Sequence, residues 1–215
     1  MAARPASKQR EQGSDETPAR QRILDAAFSA FMERGFAATS TLEIATRARV
    51  SKRELYTLVG SKQEMLAACI AERAKRLQLP ADMPEPHDLE TLGRILDAFG
   101  SRMLREISDP TVIAVFRLAI AEAVHAPEVA QALNAIGVEP SRAALREIMS
   151  RARSAGLLGG EANEMAEHFV GLLWGNLMSG LLLQTAGRPP AREITRRASA
   201  AAAALLRLYA RQEEA

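Results

Sequence analysis

The chain has 215 residues, 47 % of them hydrophobic and 25 % charged, so we expect a folded protein with a packed core. Its formal net charge of +2 does not by itself indicate nucleic-acid binding. A single cysteine, Cys69, excludes an intrachain disulfide and a cysteine-based zinc site. No apolar stretch reaches the roughly 18 residues of a membrane span. The polar residues 1–17 lack the apolar core of a secretion signal, so we expect a cytoplasmic protein.

Residues that favour helices dominate the sequence. Ala, Leu, Arg, Glu and Met recur throughout, and long runs of β-branched residues with alternating polarity are missing. We therefore predict an all-α protein. Residues 1–16 are polar and aperiodic, and we interpret them as a disordered arm. The first helix is predicted to start at Thr17-Pro18, an N-cap followed by a first-turn proline, and to end near Gly35.

Three short segments share the pattern of a capping box, in which a serine side chain and a glutamate three residues later exchange hydrogen bonds with each other's amides. They begin at Ser40, Ser51 and Ser61. The pattern predicts helices near 40–47, 51–57 and 61–78. Proline and glycine boundaries predict further helices near 88–107, 110–124, 127–136, 140–155, 161–185 and 190–211.

The two short helices between longer ones have the spacing of a helix-turn-helix, whose second helix reads DNA. Between Ile44 and Lys62 the chain contains one acid, Glu54, and five basic residues, Arg47, Arg49, Lys52, Arg53 and Lys62. Basic side chains neutralise phosphates, arginine can pair with guanine, and hydroxyls and helix N-termini bind phosphate oxygens. The residues predicted to contact DNA are Thr39, Ser40, Thr41, Arg49, Ser51, Lys52, Arg53, Tyr56 and Lys62.

A set of spaced residues in the same region carries a family resemblance. The set comprises Arg22-Ile23-Leu24-Asp25-Ala26-Ala27, Phe31, Gly35-Phe36, Thr39, Ile44-Ala45, Val50-Ser51, Leu55-Tyr56 and Ser61-Lys62-Gln63-Glu64-Met65-Leu66. With these residues the stretch 22–66 resembles the N-terminal domain of TetR/AcrR-family transcription regulators. Two positions depart from the family pattern: Arg49 stands where the turn usually has glycine, and Val59 stands where an aromatic residue is usual.

The resemblance implies a three-helix helix-turn-helix DNA-binding domain over 17–62 and a larger helical-bundle domain over 63–215, linked by the helix 61–78. The larger domain is expected to bind a small molecule and to form a homodimer. Aromatic and thioether side chains suit a flat, apolar ligand. The predicted ligand-binding residues are Phe99, Met103, Phe116, Ile120, Trp174 and Met178. Helices near the C-terminus are apolar on more than one face, so a partner chain is expected to cover the second face. The predicted dimer-interface residues are Phe169, Leu172, Leu173, Leu177, Leu205 and Leu208.

We therefore interpret the chain as a ligand-responsive transcriptional repressor. It would bind a near-palindromic double-stranded operator as a homodimer and be released by a small apolar or aromatic inducer. The segment 116–122 also resembles part of regulators that control efflux pumps or respond to flavonoids, so both properties belong to the hypothesis. The alternatives are a DNA-binding regulator without a small ligand, and an activator.

An enzyme is not expected. The sequence offers no nucleophile–base pair, carboxylate pair or glycine-rich phosphate loop. Its three histidines, His87, His125 and His168, are too widely spaced to indicate a metal site. We expect no cofactor, no metal and no membrane partner.

Overall fold

The computed structural model describes residues 8–74 and 85–211, with side chains from 18–72 and 85–211. Within these ranges the chain is helical and has no β-strand, which confirms the predicted fold class. The helices are α1 (Lys8–Arg34), α2 (Thr41–Ala48), α3 (Lys52–Leu58), α4 (Lys62–Ala74), α5 (Leu89–Ile107), α6 (Pro110–Glu122), α7 (Pro127–Ala132), α8 (Glu139–Ser154), α9 (Ala162–Trp174), α10 (Leu177–Leu182) and α11 (Ala191–Tyr209). A π-helical segment, Leu133–Val138, lies between α7 and α8.

The first helix begins at Lys8 rather than at Thr17, so the prediction of disorder is wrong for residues 8–16. Lysine, glutamine, arginine and glutamate in this stretch favour helix, and Pro18 lies inside the helix instead of opening it. Residues 1–7 of the predicted arm lie outside the described residues.

The helices predicted over 127–136 and 161–185 are both interrupted, the first after Ala132, where the π-helical segment begins. The helix predicted over 161–185 is divided into α9 and α10. The division occurs at Gly175, which has φ +48° and ψ −124°, a conformation that an α-helix cannot continue through. Of the helix predicted over 61–78, the structure describes the part up to Ala74.

The chain separates into two compact units that differ from the predicted domains 17–62 and 63–215. The first comprises Met1–Glu72 and Arg117–Asn134, and the second comprises Arg73–Phe116 and Ala135–Ala215. The first unit is larger than predicted because α4 contributes buried side chains to it, and because 117–134 adds apolar residues that are distant in sequence. The buried residues from these two segments are Met65, Leu66, Cys69, Ile70, Leu118, Ala119, Ala126, Val129 and Leu133.

In the first unit, α1 is the element on which the short helices pack. Phe31 is fully buried, and its ring centroid lies 5.3 Å from that of Phe36 in the following loop. Ile44 on α2 and Leu55 on α3 are also fully buried. Because helices of seven or eight residues are not stable alone, this shared core holds α2 and α3 in place.

In the second unit, α5, α9 and α11 pack on one another around a continuous apolar core. Gly100 permits the close approach of α5 and α9. A Cβ atom at this position would lie 3.0 Å from a methyl carbon of Leu173 and 3.2 Å from the ring of Phe169. The core is therefore made by helices that are far apart in sequence.

The predicted capping serines begin the short helices. Ser40 Oγ accepts a hydrogen bond from the Glu43 amide at 3.1 Å, and Ser51 Oγ accepts one from the Glu54 amide at 3.1 Å. Ser61 forms the reciprocal box, because its own amide also donates to Glu64 Oε2 at 2.7 Å. This backbone hydrogen bond lowers the pKa of Glu64.

The turn between α2 and α3 places Arg49 in the left-handed region, with φ 55° and ψ 47°. Its amide donates to the Thr46 carbonyl oxygen and that of Val50 donates to Ala45, which ends α2. A side chain in this conformation costs about 1 kcal/mol relative to glycine. Arg49, which departs from the family pattern, is therefore a site of local backbone strain.

We predict that Arg49→Gly raises the free energy of unfolding by about 0.5–1 kcal/mol, because glycine relieves the strain but gains freedom in the unfolded chain. The measurement is urea unfolding followed by circular dichroism. Arg49→Ala is the matched control, since it removes the same side chain and keeps the strained backbone. Equal stability of the glycine and alanine variants would contradict the prediction.

Candidate nucleic-acid interface

One exposed surface gathers side chains from α2 and α3. We call Thr41, Lys52, Arg53 and Tyr56 the α2–α3 surface. Tyr56 is 45 % exposed, and its hydroxyl lies 3.2 Å from Thr41 Oγ1, within hydrogen-bond distance. The Lys52 ammonium lies 5.9 Å from the centre of the Tyr56 ring. The helix-turn-helix therefore brings hydroxyls and cations from α2 and α3 together beside solvent.

The basic groups of this surface are available to an anion. Lys52, Arg53 and Arg49 are exposed, and within the described part of the chain they form no ion pair. Three of the predicted DNA-contacting cations thus lie in solvent without an intramolecular carboxylate. Such groups can neutralise phosphates without first breaking an internal bond.

Lys62 is engaged inside the chain, so its predicted phosphate contact is not supported. Its ammonium donates to the carbonyl oxygens of Phe36, Ala37 and Thr39 at 2.9, 3.3 and 3.1 Å, and lies 4.5 Å from the centre of the Phe36 ring. An ammonium has three donors, and these carbonyls use all three. The role of this lysine in the structure is to hold the loop that precedes α2.

Thr39 is also turned inward, contrary to the prediction. Thr39 is only 2 % exposed. The hydroxyl lies 3.1 Å from the carbonyl oxygen of Ala30 and 2.8 Å from that of Gly35, so it serves the end of α1. It does not reach the surface where a phosphate would lie.

Arg47 and its neighbours form a charge network between α1 and α2. The Arg47 guanidinium lies 2.8 Å from Glu33 and 2.7 Å from Glu43, and Arg34 lies 3.2 Å from Glu43. The hydrogen bond from Arg47 lowers the pKa of Glu33, and the same bond raises the pKa of Arg47. The capping pattern predicted that the Glu43 carboxylate would accept a hydrogen bond from the Ser40 amide. In the structure this carboxylate binds Arg34 and Arg47. Of the five basic residues in this stretch, Arg47 and Lys62 therefore have internal partners.

The hydroxyls of Ser40 and Ser51 cap their own helices, as the preceding bonds show. Both residues are exposed. Any phosphate near them would meet the amides of the first turn of α2 together with the rest of the α2–α3 surface.

Sequence reasoning missed one neighbour of this surface. Leu42 lies in the first turn of α2 beside Thr41, and its side chain is largely exposed. The helical spacing could have predicted the exposure of Leu42, because position 42 lies on the opposite side of the helix from the buried Ile44. It adds an apolar group of the kind that can contact a thymine methyl.

The six predicted ligand-binding residues differ in burial and belong to both units. Phe99, Met103 and Trp174 are buried in the core of the second unit, and Met178 packs against that core. Phe116 is half-buried in the second unit. Ile120 is 61 % exposed and belongs to the first unit. The periodic pattern identified core positions because aromatic and thioether side chains fill cores as readily as they line pockets.

A cavity of about 260 Å³ lies elsewhere in the second unit, between α8 and α9. None of the six predicted residues lines it. Five of its eight lining residues are charged or polar, namely Glu139, Arg142, Arg146, Asn163 and Glu167. The cavity therefore lacks the aromatic and thioether side chains of the predicted pocket.

Four of the six predicted dimer-interface residues lie inside the chain's own core, so the prediction is wrong for them. They are Phe169, Leu173, Leu177 and Leu205. Side chains this deeply buried within one chain have no surface left for a second copy. Leu172 and Leu208 are 41 % and 64 % exposed and remain candidates.

Two classes of site are missing from the described residues. No group of three or more His, Cys, Asp or Glu side chains there is placed to hold a metal ion. None of the described helices combines the length and apolar character needed to cross a membrane.

Comparisons with known families cover both units. The family described as bacterial regulatory proteins of the tetR family matches residues 23–69. The C-terminal domain of AefR-like transcriptional repressors matches residues 94–211. The second match alone spans more than half of the chain.

Individual relatives agree with these families. The chain is 30 % identical over 109 residues to the HTH-type transcriptional repressor Rv3405c of Mycobacterium tuberculosis, a match that spans 51 % of this chain and 57 % of the relative. Among solved structures, the Flavonoid-responsive Regulator FrrA is 27 % identical with a TM-score of 0.75, covering 91 % of this chain and 98 % of that one.

A TetR transcriptional regulator from Agrobacterium tumefaciens is 26 % identical with a TM-score of 0.72, covering 90 % of this chain and 95 % of that one. A TetR-family regulator from Mesorhizobium loti is 25 % identical with a TM-score of 0.71, covering 91 % and 98 %. All of these proteins are described as regulators, and none is described as an enzyme. With an exposed basic helix-turn-helix and matches to both domains of the same regulators, the chain belongs to the TetR family of transcriptional regulators.

Proposed function

We propose that the chain is a transcriptional repressor that binds a near-palindromic DNA operator as a homodimer, with α3 as the recognition helix. The observation that carries this proposal is the α2–α3 surface, where Lys52, Arg53 and Tyr56 lie exposed beside Thr41. The repressor assignment is supported by similarity to proteins described as repressors.

The side chains of the surface suit different parts of a duplex. Arg53 has the planar guanidinium that can bind two acceptors of a guanine edge, whereas Lys52 and Arg49 suit phosphates. Thr41 and Tyr56 have two hydroxyl protons between them, and their mutual hydrogen bond uses one. The other proton remains available to donate to a phosphate oxygen.

We expect Arg53→Ala to weaken operator binding about 5- to 100-fold and to relax sequence preference, because it removes a base contact of about 1–3 kcal/mol. Lys52→Ala is expected to weaken binding to all sequences and to reduce the slope of affinity against salt by about one. Gel-shift titrations at several salt concentrations measure both. Arg94→Ala, an exposed arginine on α5, is the charge-matched control for Arg53. If all variants bind like the parent chain, α3 is not the recognition helix.

We further propose that the homodimer forms through the exposed face of α9 and α11. Leu172 and Leu208 are its apolar residues. A Cβ atom at either Gly171 or Gly175 would meet nothing within 4 Å, so this side of α9 has room for a close neighbour. An isologous contact would repeat the same patch on both copies.

The double variant Leu172→Glu/Leu208→Glu is expected to halve the mass measured by light scattering, because four carboxylates would meet in the interface. Leu183→Glu is the control, since Leu183 is a 73 % exposed leucine outside α9 and α11. A parent chain that is monomeric at micromolar concentration would contradict the dimer, and a dimeric double variant would contradict this location.

Release by a small apolar or aromatic inducer, flavonoid-like in character, is supported by similarity to a regulator described as flavonoid-responsive. Such a ligand would enter the apolar interior of the second unit near Trp174 and Met178, at the edge of the core. A regulator without a small ligand is the alternative.

Trp174 is the chain's single tryptophan, so its emission reports on this interior. Flavonoids that release operator DNA are expected to change that emission, and Trp174→Phe provides the background signal. Release of DNA with unchanged emission would place the ligand elsewhere. No release by any flavonoid would favour the alternative.

A further inference from the structure

The loop between α1 and α2, residues 35–39, precedes the helix-turn-helix and is bound by two side chains from other helices. The Lys62 ammonium donates to the carbonyl oxygens of Phe36, Ala37 and Thr39. The second side chain is that of Glu122, the last residue of α6. The Lys62 cation binds carbonyl oxygens, which are acceptors, and the Glu122 anion binds an amide, which is a donor. Each charge therefore meets the complementary end of a peptide group.

Glu122 makes one hydrogen bond with this loop, in which its Oε1 accepts from the Ala37 amide at 3.4 Å. The same oxygen lies close to Gly35, because a Cβ atom built there would be 2.5 Å from it. Gly35 also has φ +83°, so the backbone there requires glycine for its conformation as well.

The backbone of Glu122 is itself fixed. Its carbonyl oxygen accepts hydrogen bonds from the amides of His125 and Ala126 at 3.0 and 2.7 Å. A carboxylate at the C-terminus of a helix lies at the negative end of the helix dipole, which is unfavourable. The contacts with the loop are what offset this placement.

The loop leads directly to the N-terminus of α2. Ser40, the N-cap of α2, follows Thr39, and Thr41 belongs to the α2–α3 surface. A displacement of the peptide at Ala37 would therefore be transmitted through two residues to the first turn of α2. A shift of about 1 Å in a group that binds a phosphate is enough to lose its hydrogen bond.

We propose that Glu122 is a positioning residue for operator binding, and that with Lys62 it fixes the α1–α2 loop so that the first turn of α2 meets the DNA. Glu122 itself does not contact DNA. This inference rests on the proposed function, since it needs an operator that α2 and α3 bind.

For a variant that lacks the Glu122 carboxylate, the loss of charge and the loss of a positioning contact predict opposite changes in operator affinity. Removing a carboxylate from a DNA-binding unit should by itself leave affinity unchanged or tighten it, since a repulsion with phosphates is lost. A positioning role predicts weaker binding when the same carboxylate is removed.

The test uses the full chain, its operator and a scrambled duplex. Glu122→Ala is expected to weaken operator binding 3- to 10-fold while non-specific binding stays within about 2-fold. Glu122→Gln keeps an oxygen that accepts from Ala37 and should bind within about 2-fold of the parent. Glu128→Ala, which removes the same charge from α7 of the same unit, is the control and should not weaken binding.

Hydrogen exchange supplies the second readout. In Glu122→Ala the amide of Ala37 should exchange faster, whereas the amides of α1 and α4 should keep their protection and the melting temperature should stay within about 2 °C. Unchanged or tighter operator binding by Glu122→Ala would overturn the proposal. A large fall in melting temperature together with weaker binding would also overturn it, because Glu122 would then act on folding.

Lys52→Ala and Arg53→Ala separate this proposal from the proposed function. If they weaken binding and Glu122→Ala does not, the DNA interface stands and the positioning role fails. If Lys52→Ala, Arg53→Ala and Glu122→Ala all leave binding unchanged, the proposed interface itself is wrong.

Discussion

The burial of Phe31, Ile44 and Leu55 in one core is the constraint on which the DNA-reading part of this protein depends. Helices as short as α2 and α3 do not persist alone, so they exist because their apolar faces are covered by α1. Leu55 is the buried residue of α3, and Lys52, Arg53 and Tyr56 are left exposed to solvent, where DNA can reach them.

Charges in the first unit fall into two groups with different roles. Arg47 and Lys62 have internal partners that connect α1, α2 and α4, and they stabilise the arrangement of the helices. Arg49, Lys52 and Arg53 have no ion-pair partner in the described part of the chain. The same residue types thus act as structural groups or as candidate ligands for DNA, and only their neighbours distinguish the two roles.

The second unit shows why a pocket and an interface are difficult to predict from hydrophobic pattern. Phe99 and Trp174 were assigned to a ligand, and Phe169 and Leu205 to a partner chain, yet all four pack in one core. A large apolar residue is buried in a protein core, in a ligand pocket and in a dimer interface alike, so its identity does not reveal which of the three covers it. Leu172 and Leu208 differ from the others only in their exposure.

The sequence by itself determined the all-α class, the three capped helix starts, the helix-turn-helix and the family, because these depend on local spacing and on residue types at adjacent turns. It also indicated strain at Arg49, which follows from the need for positive φ in the turn. The tertiary structure decided the partners of Thr39, Lys62 and Glu122, since residues far apart in the chain meet only after the helices pack. Helix α1 extends back to Lys8, a result that the polar composition of the segment concealed. Local physics therefore fixed which elements form, and packing between distant segments fixed which side chains remain free to bind DNA.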